Sequence, residues 1–403
     1  MTVCTQCLLR EQLKVPSTSK QLSISTKVEG LSQFPSIMRI FMASYRKHIM
    51  IYELPTYANF EQQLDGKNTH LFILKNRSGM QVAFTDYGAR IVSVLVPDKQ
   101  GNLRDVVLGF NSLQDYLQAN EQYHGATIGR CANRIAGGSF QLDEQRYTLA
   151  QNNGNNCLHG GPTGFHTKVW DRRTSFKKKI DFCYVSPDGE EGFPGNLKTT
   201  VSYELTEDNE IIIQYTAETD KKTVVNLTNH AYFNLNGEGE GDVLNHILQM
   251  PAEHFIPIND QQVPLAEKQA VADTAFDFRK AKTLGQDINQ AEEQLQLGNG
   301  YDHTFLNSQG VDQVAATAYS PDSGIRLEIL TSEPGIQLYT ANFLSAKDIG
   351  KSGRNYGPRH AFCLETQHYP DSPNRTDFPS VVLAPGEVFR SETRYRFSIK
   401  KEA

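Results

Sequence analysis

Polar residues crowd five stretches whose surroundings read as β-strand. They are Gly129-Arg130-Cys131-Ala132-Asn133-Arg134-Ile135, residues 153–161, residues 226–235, Tyr301-Asp302-His303, and residues 334–340 together with Glu365-Thr366-Gln367. Among them stand His159, His230, Asp302 and Glu365, side chains suited to moving protons near neutral pH. Glu365 follows the apolar run Ala361-Phe362-Cys363-Leu364, so its carboxylate is expected to be partly buried. A buried carboxylate is unfavourable unless paired or protonated, and a raised pKa would make it a usable general base. Each residue also has a plainer role open to it. A single His satisfies buried backbone groups well. Asn133 and Arg134 fit a turn and a surface, Asp302 could cap a loop, and Glu365 could sit in a structural pair.

The order of the motifs adds information that no one of them carries. The chain has Gly129 to Ile135, Asn156 to Gly161, Ser186-Pro187-Asp188-Gly189-Glu190-Glu191-Gly192-Phe193-Pro194-Gly195, and Asn226 to Leu235. Tyr301-Asp302-His303, Pro334-Gly335 with Gln337, and Glu365 with Tyr369-Pro370-Asp371 follow. In this combination the sequence resembles the aldose 1-epimerase (galactose mutarotase) family, over about residues 65–400. The resemblance implies a galactose-mutarotase-like supersandwich. It also implies interconversion of the α and β anomers of a free hexose such as galactose or glucose, within hexose metabolism, with no cofactor and no metal. Carried over residue by residue, it makes His230 the general acid toward the ring oxygen and Glu365 the base toward the C1 hydroxyl. His159 becomes a second imidazole near the ring oxygen. Asn133 and Arg134 become donors to sugar hydroxyls, Asp302 an acceptor, and Gln337 a contact beside the base. An N-terminal extension and a polar insert around Gly237–Gly241 depart from the family pattern.

These residue types suit that reaction. A hemiacetal opens when its anomeric hydroxyl loses a proton while the ring oxygen gains one. A base and an acid must therefore face each other across one ring, each supplying about 10²–10⁴-fold. The pair is expected to hold an ionised, modestly raised Glu and a protonated His. Uncharged hydroxyls call for donors and acceptors, which Asn, Arg, Asp and Gln provide. Three rivals compete. A glycosidase could use Asp302 and Glu365 as its two carboxylates, but has no need of His159 and His230. A sugar-binding module would favour exposed aromatic platforms, and the only Trp, Trp170, precedes the charged Asp171-Arg172-Arg173. A sugar-phosphate epimerase would call for clustered cations, and the five stretches offer only Arg130 and Arg134.

Strands must position these groups. Val201, Tyr203 and Leu205 alternate with polar residues, Asp208-Asn209 turns the chain, and Ile211, Ile213, Tyr215 and Ala217 alternate on the return. This is a hairpin with one buried face. A second hairpin runs from Val314 to Tyr319, turns through residues 320–324 and returns with Ile325, Leu327 and Ile329 inward. Tyr395, Phe397 and Ile399 define a C-terminal strand, and further hairpins are expected at 69–97 and 139–150. Helix is expected only at Leu113–Gln118 and Ile288–Leu297. The sum is an all-β fold, a large antiparallel β-sandwich with few short helices.

The bulk properties agree. The chain has 403 residues, 38% hydrophobic and 21% charged, with net charge −6. That is a folded composition, and the sign disfavours nucleic acid as a partner. No long apolar run predicts a membrane span. Residues 1–50 read as a poorly ordered extension and 51–403 as the catalytic domain. Met38, Met42 and Met50 are candidate alternative starts. Cys4 and Cys7 form half of a zinc motif with no matching partner pair, and the remaining four Cys read as free thiols. The expected partner is a monosaccharide. The expected state is a cytoplasmic monomer or weak dimer, with a periplasmic or secreted location left open by the first 50 residues.

Overall fold

The computed structural model describes residues 51–400, which fall in one compact unit. The expected extension, with Cys4, Cys7 and the three candidate start methionines, lies outside the described residues. Antiparallel strand pairs build the unit. The largest sheet has nine strands in the order Asp171–Phe176, Lys179–Ser186, Leu197–Leu205, Glu210–Thr219, Phe389–Ile399, Ile325–Thr331, Ala316–Tyr319, Ile247–Gln249 and Lys282–Thr283. A five-stranded sheet runs Gln269–Ala270, His254–Ile256, Asp302–Leu306, Gly335–Tyr339 and Cys363–Gln367. A four-stranded meander covers Leu71–Lys75, Gln81–Thr85, Arg90–Pro97 and Leu103–Asp105.

Alternation explains how the layers meet. Val201, Tyr203, Leu205, Ile211, Ile213 and Tyr215 are all buried on one face of the large sheet. They join one core with Val82, Phe84 and Val94 of the meander and Ile336, Leu338 and Leu364 of the five-stranded sheet. Apolar inner faces of stacked sheets bury each other in this way.

Two expectations need correction. The second helix covers only Glu293–Leu297. Glu292 stays extended at φ −100°, ψ 130° and its carboxylate accepts the Ala275 N–H at 3.0 Å, so the helix starts after it. In the last strand Tyr395 and Phe397 are buried, but Ile399, its final residue, is exposed. The helix Leu113–Gln118 is as expected, with the Ser112 side chain accepting the Asp115 N–H.

Candidate active site

Register places the acidic groups. Gln337 lies opposite both Glu365 and Thr304, while Tyr339 lies opposite both Cys363 and Asp302. Residues opposite or two apart share a sheet face, so these six side chains rise from one surface. Leu338, Leu364 and Phe305 turn to the other side, into the core.

Loops bring the histidines over that surface. Thr228–Asn229 pairs with Thr127–Ile128, and His230 continues from it with its N–H on the Ala126 carbonyl at 2.9 Å. Its ring is stacked between Tyr232 at 4.8 Å and Tyr123 at 5.7 Å. Arg134–Ile135 pairs with Cys157–Leu158, which sets Asn133 against His159. Both hold the left-handed region, at φ 61° and φ 54°. The His159 N–H donates to the Asn133 carbonyl at 3.1 Å, and the Asn133 N–H donates to His159 Nδ1 at 3.2 Å. Strained backbone held by mutual bonds is a mark of functional geometry. Gly160, at φ 83°, must be glycine: a Cβ there would stand 2.0 Å from the Gly129 carbonyl oxygen.

Together these elements enclose a cavity of ≈ 470 Å³ lined by Asn133, Arg134, His159, His230, Asp302 and Glu365, a size suited to a small ligand. His230 Nε2 lies 3.6 Å from Glu365 Oε1, and Glu365 Oε2 is buried without a partner. Arg134 Nη1 stands 3.9 Å from Asp302 Oδ2. Arg134 Nε donates to Asn153 at 3.0 Å, and its Nη2 reaches Gln262.

Burial dominates the electrostatics. It drives the Glu365 pKa well above the usual carboxylate value, with Asp302 and Glu121 adding to the rise and Arg134 opposing it. It pulls His230 down to about 3 and His159 well below its ordinary value, with His230 and Arg134 assisting. Both shifts run against the expected ionised Glu and protonated His: burial favours the neutral carboxylic acid and the neutral imidazole. Desolvation penalises each charged form, and the pair shares one proton either way.

Six of the seven expected site residues line the cavity; Gln337 does not. Its Nε2 donates to Asp302 Oδ1 at 2.7 Å and its Oε1 accepts from Thr304, so it holds Asp302 in place. Arg130 also turns away. It donates to Ser186 Oγ and to the carbonyls of Ser186, Pro187 and Pro194 at 2.8–2.9 Å, which accounts for the 186–195 motif as a clamp on the loop before Asn133. His303 is a core residue, accepting the Asp302 N–H at 3.1 Å and meeting Gln294 Oε1 at 3.2 Å. Glu121, Tyr123, Tyr339 and Phe343 also line the cavity, and no periodic signal in the sequence marks Glu121 or Tyr123.

His159, His230 and Glu365 bring potential metal-ligand atoms within 4.8 Å of one another. The hydrogen bonding of His159 opposes such use. Its Nδ1 already accepts the Asn133 N–H, so Nε2 carries the proton of the neutral ring. Neither nitrogen then has a free lone pair for a cation, and Nε2–H is instead a donor toward the cavity. The arrangement offers an acid–base couple flanked by hydroxyl donors and acceptors.

Comparison with known proteins points to one family. Residues 70–396 match the family described as aldose 1-epimerase. The chain is 43% identical over 321 residues to a galactose mutarotase of Bos taurus, covering 79% of this chain and 92% of that protein. It is 40% identical over 337 residues to an aldose 1-epimerase of Escherichia coli (strain K12), covering 83% and 96%. Among solved structures, an aldose epimerase homologue from C. elegans superposes with TM-score 0.78 at 33% identity, over 83% of this chain and all of that one (100%). A galactose 1-epimerase from Lactobacillus acidophilus NCFM gives TM-score 0.74 at 31% identity, over 84% and 97%.

Proposed function

The chain belongs to the aldose 1-epimerase family and interconverts the anomers of aldoses, and from that premise we propose that Glu365 and His230 carry the proton transfers. The observation that supports the assignment is the 3.6 Å approach of His230 Nε2 to Glu365 Oε1 inside a cavity of sugar size.

A bound pyranose places its C1 hydroxyl against Glu365 and its ring oxygen against His230. The hydroxyl donates to the carboxylate and the ring oxygen accepts from the imidazole. Both contacts favour the carboxylate–imidazolium form of the pair, which holds the same single proton as the neutral form. Opening then moves the C1 hydroxyl proton to Glu365 and the His230 proton to the ring oxygen, while the C1–O ring bond breaks and the C1 carbonyl forms. The pair is left as carboxylic acid and neutral imidazole, the arrangement its burial favours. Rotation about C1–C2 turns the other carbonyl face to the ring oxygen, and the transfers run in reverse. His159 Nε2–H, Asn133 and Arg134 supply donors to the sugar, Asp302 an acceptor, and Gln337 keeps Asp302 aimed. This sequence leaves no electron or group behind, so it calls for no cofactor.

Galactose and glucose are the proposed substrates. The proposed setting is a cytoplasmic monomer or weak dimer. In support, Cys131, Cys157, Cys183 and Cys363 are buried free thiols. Polarimetry of freshly dissolved α-galactose and α-glucose tests the function. Acceleration to the equilibrium rotation is expected; release of sugar from a nitrophenyl glycoside without that acceleration would overturn it in favour of hydrolysis.

A further inference from the structure

A third carboxylate reaches the cavity. Glu121 follows the helix Leu113–Gln118 and lines the same wall as Glu365, His230 and Tyr232. Its placement is built. The Glu121 N–H donates to Asp348 Oδ2 at 3.0 Å, and Asn120 donates both its N–H and its Nδ2 to Asp348 Oδ1 at 2.8 Å. Asp348 is itself buried, so one carboxylate from a distant loop pins the segment. The side chain is held as well: Glu121 Oε1 accepts the Tyr123 N–H at 3.1 Å, on the residue whose ring packs against both His159 and His230.

Glu121 forms no ion pair with a described Lys, Arg or His, unlike Asp302, which has Arg134. Burial pushes its pKa up to about 7, against hydrogen bonds from the Tyr123 and Gln122 N–H groups and the Tyr232 hydroxyl. A half-buried carboxylate without a cation, its segment fixed by four hydrogen bonds at the wall of a ligand cavity, keeps spare acceptor sites that a donor from the ligand can fill. Sugar hydroxyls are such donors. We propose that Glu121 is a substrate-binding carboxylate that accepts a hydrogen bond from one hydroxyl of the aldose and so selects among sugars differing at that position. This rests on the mutarotase reading of the cavity.

The test pairs protein variants with deleted hydroxyls. Full-length wild type, Glu121→Gln and Glu121→Leu are assayed by polarimetry on α-glucose, α-galactose and a set of monodeoxy aldoses, with circular dichroism melts as a check on folding. Loss of a hydrogen bond to a charged group is expected to raise the KM of Glu121→Leu about tenfold on the parent sugar, with kcat changed less. On the one monodeoxy sugar that lacks the partner hydroxyl, wild type and variant should converge. Glu121→Gln keeps the shape, and should show a smaller rise with the same convergence. Unchanged KM in both folded variants, or a penalty undiminished on every deoxy sugar, overturns the proposal. Those outcomes leave wild-type mutarotation intact, whereas a wild type inactive on every aldose refutes the function itself.

Discussion

His230 Nε2 stands 3.6 Å from Glu365 Oε1, with side chains only 4% and 3% exposed. At that separation and burial the two groups titrate as a couple holding one proton. A second proton arrives only when His230 charges, and its pKa has been pulled down to about 3 by desolvation. The one proton leaves only when Glu365 ionises, and burial has moved that step well above 4.5. The active proton count therefore persists on both sides of the ordinary histidine pKa. The expected pH profile of kcat shows no limb at the ordinary histidine pKa of about 6.5. A limb centred near 6.5 in initial rates at saturating sugar would show that His230 titrates as an ordinary imidazole.

Removing either member should stop the couple. Glu365→Gln keeps shape and loses the base, and His230→Asn loses the acid. Each is expected to lower kcat by about 10²–10⁴-fold, with smaller change in KM. Because the two act as one unit, the double variant should be little worse than the worse single. Parent-like mutarotation by either folded variant, read by polarimetry, would remove that residue from the mechanism.

The sequence made the sheets legible because their strands have one buried face. Ile211, Ile213, Tyr215 and Ala217 alternate visibly because their neighbours face solvent or the next layer. Glu365 was legible for the opposite reason, as a carboxylate closing an apolar run. Glu121 was not, since it sits in an aperiodic loop and its position depends on Asp348, 227 residues away in sequence. The task of Gln337 was hidden too: its nearness to Asp302 is a consequence of strand register, which a single strand does not display.

Cys363 gives the imidazole its orientation. Its Sγ lies 3.6 Å from His230 Nδ1, and burial holds its pKa well above the usual thiol value, so it is a neutral thiol whose sulfur accepts weakly from the Nδ1–H. An acceptor at Nδ1 keeps the ring proton there and leaves the Nε2 lone pair facing Glu365, able to take the carboxylic proton. Cys363→Val should mix the His230 tautomers and lower kcat about threefold to tenfold, with KM little changed, while Cys363→Ser retains both. Nitrogen-15 shifts of His230 report the tautomer. An unchanged tautomer and rate in Cys363→Val would reduce the contact to packing.

Arg134 is placed for binding more than for chemistry. Its fork spans Asp302, Asn153 and Gln262 at the cavity wall, and none of these contacts is to His230 or Glu365. Arg134→Ala should raise KM by about tenfold or more through loss of charged hydrogen bonds, with a smaller fall in kcat. A kcat loss equal to that of Glu365→Gln in the same polarimetric assay would place it among the proton-transfer groups instead.

Arg90 supports the site from behind without a described carboxylate partner. It is 1% exposed. Its Nε donates to the Tyr87 carbonyl at 2.9 Å, Nη1 to those of Gln122 and His124 at 3.3 and 3.2 Å, and Nη2 to that of His166 at 2.6 Å. The guanidinium also lies over the rings of Tyr87 and Tyr116 at 4.7 and 4.5 Å. It thus ties the segments of Tyr87 and His166 to the one that carries Tyr123, the ring packed on His159 and His230. Arg90→Ala would leave four carbonyls without their donor and open a cavity. The expected loss is about 3–5 kcal/mol in denaturant unfolding, typical of breaking a buried charged network, with reduced kcat in whatever fraction folds. Arg90→Lys should not restore stability, because one ammonium cannot span carbonyls lying in three directions. Full stability in the Lys variant would show that the buried charge, and not the planar fork, holds these loops.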